Sequence, residues 1–86
     1  RARIIVNPNA GSFDAAKDAI EAAGARPDCE VVFTERKGDA GRLAQDAVAR
    51  GFERVVAGGG DGTLHEVVNG VGAHGPAVVG LLPLGT

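Results

Sequence analysis

The sequence has no tryptophan or tyrosine, and its 86 residues include three phenylalanines. Its core must therefore be mainly aliphatic. It also has no basic cluster interleaved with aromatic residues, so we expect no nucleic-acid partner. No apolar run approaches the roughly 18 residues that a membrane-spanning helix requires. We therefore expect any contact with a membrane to be peripheral.

Cysteine is represented by Cys29 alone, which excludes an internal disulfide bond. A single, inert thiol suits a reducing compartment, so the sequence predicts a cytoplasmic protein. Acidic and basic residues are interleaved, and the formal net charge is −2. The sequence leaves open whether the protein forms a homo-oligomer.

Four apolar, β-rich segments alternate with segments of helical periodicity. The predicted strands are residues 3–7, 30–35, 54–58 and 78–84, and the predicted helices are 13–23, 39–50 and 63–71. Strands that are apolar on both faces and separated by single helices favour a parallel sheet with right-handed crossovers. The sequence therefore predicts an α/β domain, a three-layer Rossmann-like sheet with helices on both faces. Thr63 is expected to be the N-cap of the third helix, with Glu66 completing a capping box.

The turns that follow the four predicted strands are small and polar. They comprise residues 7–12, 34–39, 58–63 and 85–86. In open parallel sheets, ligands bind beyond the carboxyl ends of the strands. We therefore expect these four turns to lie at one edge of the sheet and to form the binding site.

The most informative of these turns is the run Gly-Gly-Gly-Asp-Gly-Thr at residues 58–63. A strand, a glycine turn and a helix start can hold a phosphate on backbone N–H groups. Glycine allows a close approach of the anion, and positive φ where a turn requires it. Asp61 suits such a site if a divalent cation lies between its carboxylate and the phosphate. A tight structural turn, with Asp61 in an Asx-turn, is the alternative.

Two common phosphate-binding signatures do not fit. The Walker sequence Gly-Lys-Ser/Thr is absent, and the glycines do not have the spacing of the dinucleotide fingerprint. An NAD-dependent oxidoreductase is therefore disfavoured. His65 is interpreted as a solvent-facing helix residue, and Arg36, Lys37 and Arg42 as a solvated helix start, with contact to phosphates as the alternative.

The ordered motifs together resemble the catalytic domain of diacylglycerol kinases and related lipid kinases, in the superfamily that includes NAD kinases and phosphofructokinases. The matching motifs are Ile-Ile-Val-Asn-Pro-Asn-Ala-Gly at 4–11, Thr34-Glu35 with Gly38-Asp39-Ala40, Gly-Gly-Asp-Gly-Thr at 59–63, Glu-Val-Val-Asn-Gly at 66–70, and Leu-Pro-Leu-Gly-Thr at 82–86. They span almost the whole chain, so residues 1–86 are interpreted as one ATP-binding α/β domain.

The resemblance implies ATP and Mg²⁺ as cofactors and transfer of the γ-phosphoryl group to a lipid hydroxyl, of diacylglycerol or sphingoid type. It places Asp61 near the metal, through water, as the residue of this chain that acts in catalysis. The residues implied in nucleotide binding are Asn7, Pro8, Asn9, Ala10, Gly11, Thr34, Gly59, Gly60, Asp61, Gly62, Thr63, Leu64, His65, Glu66 and Thr86.

A last predicted strand so close to the C-terminus leads us to expect the N-terminal part of a two-domain lipid kinase, truncated at its C-terminus. A small domain that ends on its last strand is the alternative. The resemblance implies that a second, β-rich domain supplies the lipid cleft and a carboxylate base, so we expect this chain to be inactive alone. Two other functions stay open: an NAD kinase-like enzyme with a soluble substrate, and a non-catalytic nucleotide-binding regulatory module.

Overall fold

The computed structural model describes residues 1–9, 13–72 and 78–83. Strands and helices alternate along these residues, as the sequence predicts. The elements are β1 (Ala2–Val6), α1 (Phe13–Gly24), β2 (Cys29–Phe33), α2 (Asp39–Ala49), β3 (Arg54–Gly59), α3 (Asp61–Val71) and β4 (Val78–Pro83). None of the helices in this described part is long and apolar enough to cross a membrane.

The strands form a parallel sheet in the order β2-β1-β3-β4, counting the strands that the structure describes. At the end of β1, Val6 pairs with Phe33 of β2 and with Gly58 of β3. One residue further along β3, Gly59 pairs with Pro83 of β4. All four strands therefore end at one edge of the sheet, which we call the carboxyl edge.

Helices cover both faces of the sheet, as predicted. On one face, Ile5 and Ala57 are buried against α2 and α3, in a cluster that also holds Phe52. On the other face, Ile4 and Val6 are buried with Ile20 of α1. Successive strand residues point to opposite faces, so Ile5 faces one cluster while Ile4 and Val6 face the other. The predicted aliphatic core is confirmed, with Phe52 as an aromatic addition.

Helices α2 and α3 pack closely because glycines lie at their contact. A Cβ atom added to Gly70 would lie 2.9 Å from the Cβ of Ala44 and would also meet the main chain of Gly41. A Cβ atom added to Gly41 would lie 3.3 Å from the carbonyl oxygen of Glu66. The main chains of the two helices thus occupy the space that side chains would need.

The turn from α2 into β3 depends on Gly51, which has a φ of 82°. The Gly51 N–H donates to the Val48 carbonyl oxygen over 3.1 Å, and the Phe52 N–H donates to that of Ala47 over 3.0 Å. These two bonds form a Schellman motif, which ends a helix with a left-handed residue. The motif directs buried Phe52 into the core immediately before β3 begins.

A buried cation, Arg3, lies near the amino end of β1, with 4% of its surface exposed. Its guanidinium is 2.7 Å from a carboxylate oxygen of Glu30 and 2.7 Å from one of Asp46, and it donates to the Leu43 carbonyl oxygen over 3.0 Å. Burial lowers the pKa of Arg3, but the hydrogen bonds and charges of Asp46 and Glu30 outweigh it and raise that pKa. This network could not be predicted from the sequence, because an arginine inside a predicted strand gives no signal of its partners.

Candidate functional site

The site lies where the order of the strands reverses. From β1 the chain crosses to β2 on one side, and then returns past β1 to β3 on the other. Such a switch point leaves a crevice between the turns after β1 and β3, where parallel α/β proteins bind ligands. The N–H of Asn7 donates to the Gly58 carbonyl oxygen over 2.8 Å, so the pairing of β1 with β3 continues up to the turn after β1.

The turn after β1 is stabilised by its own asparagine. The Oδ1 atom of Asn7 accepts a hydrogen bond of 3.0 Å from the N–H of Asn9, which is the geometry of an Asx-turn around Pro8. Asn9 is exposed, whereas Asn7 and Pro8 are partly buried. The predicted turn at this position is therefore confirmed. Ala10 and Gly11 lie outside the described residues.

The glycine run leads directly from β3 into α3. Gly60 is the N-cap, with φ −91° and ψ −165°, and the helix begins at Asp61. The predicted capping box, with Thr63 as the N-cap, is therefore wrong. The N–H of Leu64 makes the bond that closes the first turn, to the Gly60 carbonyl oxygen over 3.1 Å. The N–H groups before it, at residues 61–63, have no acceptor within the helix and point out of its N-terminus.

The glycines of this run provide space. Gly60 has an extended backbone, and the described glycines with positive φ are Gly38, Gly51 and Gly72. The glycine run therefore does not use the positive φ that glycine permits. A Cβ atom added to Gly59 would lie 2.8 Å from the Cβ of Thr63, so the helix start requires glycine there. An added Cβ atom at Gly62 would meet nothing within 4 Å.

The predicted site residues on α3 fall into two groups. Asp61 and His65 are exposed, and the Nε2 atom of His65 is 3.1 Å from the Nδ2 atom of Asn69, one turn along the helix. The interpretation of His65 as solvent-facing is confirmed. Thr63 is buried, and Leu64 packs against the core. The side chains of Thr63 and Leu64 therefore contribute to the packing of α3 on the sheet.

The turn after β2 brings Thr34 to the same edge. The N–H of Thr34 donates to the Val6 carbonyl oxygen over 2.9 Å, so Thr34 lies beside the end of β1. Further along, the Oδ2 atom of Asp39 accepts from the N–H groups of Glu35 (2.8 Å) and Arg36 (3.0 Å). Arg42 forms an ion pair with Asp39. Arg42 thus belongs to the start of α2, as the solvated-helix interpretation has it.

Glu66 connects α3 with this turn. Its Oε1 atom accepts a hydrogen bond of 3.1 Å from the N–H of Gly38, which is the left-handed N-cap of α2 with φ 92°. Glu66 therefore does not complete the predicted capping box on α3, but accepts from the residue that precedes α2. This partner could not be predicted from the sequence, because the two residues are 28 positions apart and are brought together by packing.

The described residues thus bring together the turns after β1, β2 and β3 at the carboxyl edge. The fourth predicted turn, including Thr86, lies outside the described residues. Among the residues that the structure describes, no group of three or more histidine, cysteine or acidic side chains could hold a metal ion. Mg²⁺ commonly takes one or two carboxylates and completes its shell with water and substrate phosphates. Asp61, an exposed carboxylate in the first turn of α3, fits that mode of binding.

Comparison with known proteins identifies the family to which this arrangement corresponds. The model of the diacylglycerol kinase catalytic domain matches residues 1–86. A Pseudomonas fluorescens protein named "Probable lipid kinase YegS-like" is 49% identical over 73 residues, which are 84% of this chain and 24% of that protein. A diacylglycerol kinase of Staphylococcus haemolyticus is 40% identical over 93 residues, which are 99% of this chain and 27% of that protein.

Solved structures give the same result. The crystal structure of a diacylglycerol kinase from Bacillus anthracis str. Sterne matches with a TM-score of 0.83 and 30% identity, over 100% of this chain and 33% of that one. The chain therefore spans about a quarter to a third of the length of the relatives that it matches.

Proposed function

The chain belongs to the diacylglycerol kinase catalytic domain family, and from this premise we propose that it forms the ATP-binding part of a lipid kinase. In this proposal the protein transfers the γ-phosphoryl group of MgATP to the hydroxyl group of a lipid, of diacylglycerol or sphingoid type. The names of the relatives, a lipid kinase and diacylglycerol kinases, support the class of substrate.

One observation carries the proposal. The glycine turn at residues 59–63 opens onto the N-terminus of α3 at the switch point, directly beside the turn at Asn7, and exposes the carboxylate of Asp61 there. A helix N-terminus carries a partial positive charge and outward-pointing N–H groups. This is a site for an anion, and the neighbouring carboxylate makes it a site for an anion accompanied by a cation.

Different residues of the chain would have different roles in binding the nucleotide. The N–H groups at the start of α3 bind the phosphates, and Gly62 leaves room for them to approach, because an added Cβ atom there would meet nothing within 4 Å. The hydroxyl group of Thr34 donates a hydrogen bond from the opposite side of the crevice, across the end of β1. Asn7, Pro8 and Asn9 form the wall beside the glycine turn.

Asp61 would hold Mg²⁺ through its water ligands. The bound cation would neutralise the charge that develops between the transferring phosphoryl group and the leaving oxygen. With one carboxylate from this chain, the shell of the cation is completed by water and the phosphates of ATP. Replacing Asp61 should therefore weaken binding of MgATP more than binding of ATP without the metal.

The transfer itself needs parts beyond this domain. The lipid hydroxyl oxygen attacks the γ-phosphorus in line, while the bond from that phosphorus to the bridging oxygen of ADP breaks. The hydroxyl proton passes to a general base, which we propose lies in the portion of the relatives that this chain does not span. On this proposal, the 86 residues alone bind nucleotide and do not turn over.

Calorimetric titration of the natural full-length protein with MgATP and with ATP plus a chelator tests the nucleotide site. Asp61→Asn should weaken MgATP binding by roughly tenfold, a loss of about 1.4 kcal/mol, and leave metal-free ATP binding nearly unchanged. Asp18→Asn, at an exposed carboxylate on α1, is the matched control and should bind like the unaltered protein.

An assay with radiolabelled ATP then distinguishes the substrates. Labelled phosphate should appear in diacylglycerol or a sphingoid base presented in mixed micelles. Label in NAD and in no lipid would establish the soluble-substrate alternative. Nucleotide binding with no transfer to either acceptor would establish a regulatory module.

A further inference from the structure

The hydrogen bond between Glu66 and Gly38 joins two parts of the site that are 28 residues apart in sequence. The Oε1 atom of Glu66 accepts from the Gly38 N–H over 3.1 Å, and both residues are partly buried. Glu66 lies one turn after the phosphate-binding start of α3. Gly38 ends the turn that begins at Thr34. The bond therefore ties the turn after β2 to α3.

The other hydrogen bonds described for residues 35–38 are to the start of α2, as in the bond from the Arg42 N–H to the Gly38 carbonyl oxygen. Thr34 is fixed at its start by the bond from its N–H to Val6. In the middle, Asp39 accepts from Glu35 and Arg36, which shapes the turn but belongs to the same segment. The bond from Gly38 to Glu66 connects this segment with α3. Its loss would leave the turn ordered within itself but less well placed against the glycine run.

The other end of this connection is rigid. At Glu66 the main chain of α3 packs against Gly41 of α2, with 3.3 Å between the Glu66 carbonyl oxygen and an ideal Cβ position on Gly41. The main chain that carries the Glu66 side chain is thus held in place by α2. From this backbone the carboxylate reaches the Gly38 N–H, its hydrogen-bond partner.

We infer that Glu66 is a positioning residue, which sets the distance between Thr34 and the phosphate-binding N-terminus of α3 by holding the Gly38 N–H. This inference rests on the proposed function and assigns to the Glu66 side chain a role without contact to the nucleotide or the metal. Glu66 requires a hydrogen-bond acceptor for this purpose and does not require a negative charge.

The difference between acceptor and charge provides the test. Glu66→Gln keeps an oxygen at the end of a side chain of equal length, whereas Glu66→Ala removes the acceptor. If the carboxylate contacts a cation or its waters, both variants should lose MgATP affinity to a similar extent. If Glu66 positions the turn, the glutamine variant should retain affinity and the alanine variant should not.

The experiment measures MgATP affinity and hydrogen exchange of residues 34–41 in the natural full-length protein, at a temperature where every variant is folded. Glu66→Ala should weaken binding by about tenfold and raise exchange in this segment, whereas Glu66→Gln should stay within about twofold of the unaltered protein in both. Gln45→Ala, an exposed neighbour on α2, is the control and should change neither.

A double-mutant cycle with Thr34→Val tests the connection itself. If Glu66 acts through Thr34, the alanine substitution should cost less than about twofold in affinity once the Thr34 hydroxyl is gone. Additive losses, or a Thr34→Val variant with unchanged affinity, would overturn the inference. So would a Glu66→Ala variant that exchanges faster but binds MgATP normally, because its role would then be structural only.

The outcomes also separate this inference from the proposed function. An unaltered protein that binds no MgATP would overturn the proposed function, and this inference with it. An unaltered protein that binds MgATP, with glutamine and alanine variants equally impaired, would leave the proposed function standing and overturn the positioning role.

Discussion

The N–H of Asn7 and the carbonyl oxygen of Gly58 form a hydrogen bond of 2.8 Å that holds the ends of β1 and β3 together at the switch point. Both partners are main-chain groups, so this bond survives any side-chain substitution that the backbone tolerates. The spacing between the two turns is thus independent of the polar side chains that they carry. Substitutions in these turns can therefore test the chemistry of the site without altering its framework.

Asn7 offers the first such test. Asn7→Ala removes the acceptor for the Asn9 N–H, which should cost about 0.5 kcal/mol of stability, since the bond is solvent-exposed. MgATP affinity should fall because the wall of the crevice is less ordered. Asn7→Asp keeps the acceptor and adds a negative charge beside the phosphates, so it should retain stability and still lose affinity. Urea denaturation and calorimetric titration measure the two effects, and an Asp variant with normal affinity would place Asn7 away from the nucleotide.

Alanine substitutions at Gly59 and Gly62 make a matched comparison. A methyl group at Gly59 would collide with Thr63, so Gly59→Ala should destabilise the fold by about 1–3 kcal/mol. Gly62 has open space around its Cβ position and lies in the first turn of α3, so Gly62→Ala should raise stability by about 0.5 kcal/mol.

The same alanine at Gly62 should nevertheless weaken MgATP binding, because the methyl group would occupy the space that the phosphates need. Urea denaturation in the absence of nucleotide, followed by titration, separates these two effects. Unchanged affinity in the Gly62→Ala protein would argue against phosphate binding at this turn.

Gly70 tests the contact between α2 and α3. Gly70→Ala should destabilise the protein by about 2 kcal/mol or more, because the added methyl group meets main-chain atoms that cannot rotate away. Asn69→Ala, at the exposed neighbouring position, should stay within about 0.5 kcal/mol of the unaltered protein. Thermal unfolding of both variants makes the comparison, and equal melting temperatures would show that the helices can separate without cost.

Acid should weaken the network around Arg3. Hydrogen bonds from Arg3 and Arg50 lower the pKa of Asp46 below its ordinary value of 3.8. Near that pH the unfolded chain therefore binds more protons than the folded one, and stability falls as pH decreases through this range. The contribution of Asp46 to the free energy of unfolding is fully present above about pH 5 and is lost progressively below about pH 4.

Asp46→Asn should thus be less stable than the unaltered protein at pH 7, with a difference that shrinks towards pH 3. Urea denaturation at several pH values measures this convergence. Asp18→Asn, at an exposed carboxylate on α1, is the control and should show no comparable convergence. Parallel pH profiles for Asp46→Asn and the unaltered protein would contradict the prediction.

Hydrophobic periodicity, together with the glycine residues at helix ends, was sufficient to predict the order and type of the strands and helices. An apolar run such as Ile4-Ile5-Val6 buries side chains on both faces when it forms a strand in a covered sheet. Gly24 is the last residue of α1, and Gly51 follows the end of α2. The meeting of the turns after β1, β2 and β3 at one edge could also be predicted, because parallel strands bring the turns that follow them together.

Tertiary contacts explain what the sequence did not reveal. Thr63 and Glu66 have the spacing of a capping box, but α3 begins two residues earlier and Glu66 bonds to Gly38 on another element. Local spacing cannot distinguish a partner three residues away from one that packing brings close. The partners of Arg3 were hidden for the same reason, since Glu30 and Asp46 come from different elements.

The contact between Gly41 and Gly70 also limits how this domain can change over evolutionary time. A side chain that is too large in a core can be accommodated when a neighbouring side chain becomes smaller. Here the obstacle to a larger residue at Gly70 is the Gly41 carbonyl group, which every amino acid possesses. No compensating replacement at position 41 can therefore restore the space, and a larger residue at position 70 requires the two helices to move apart.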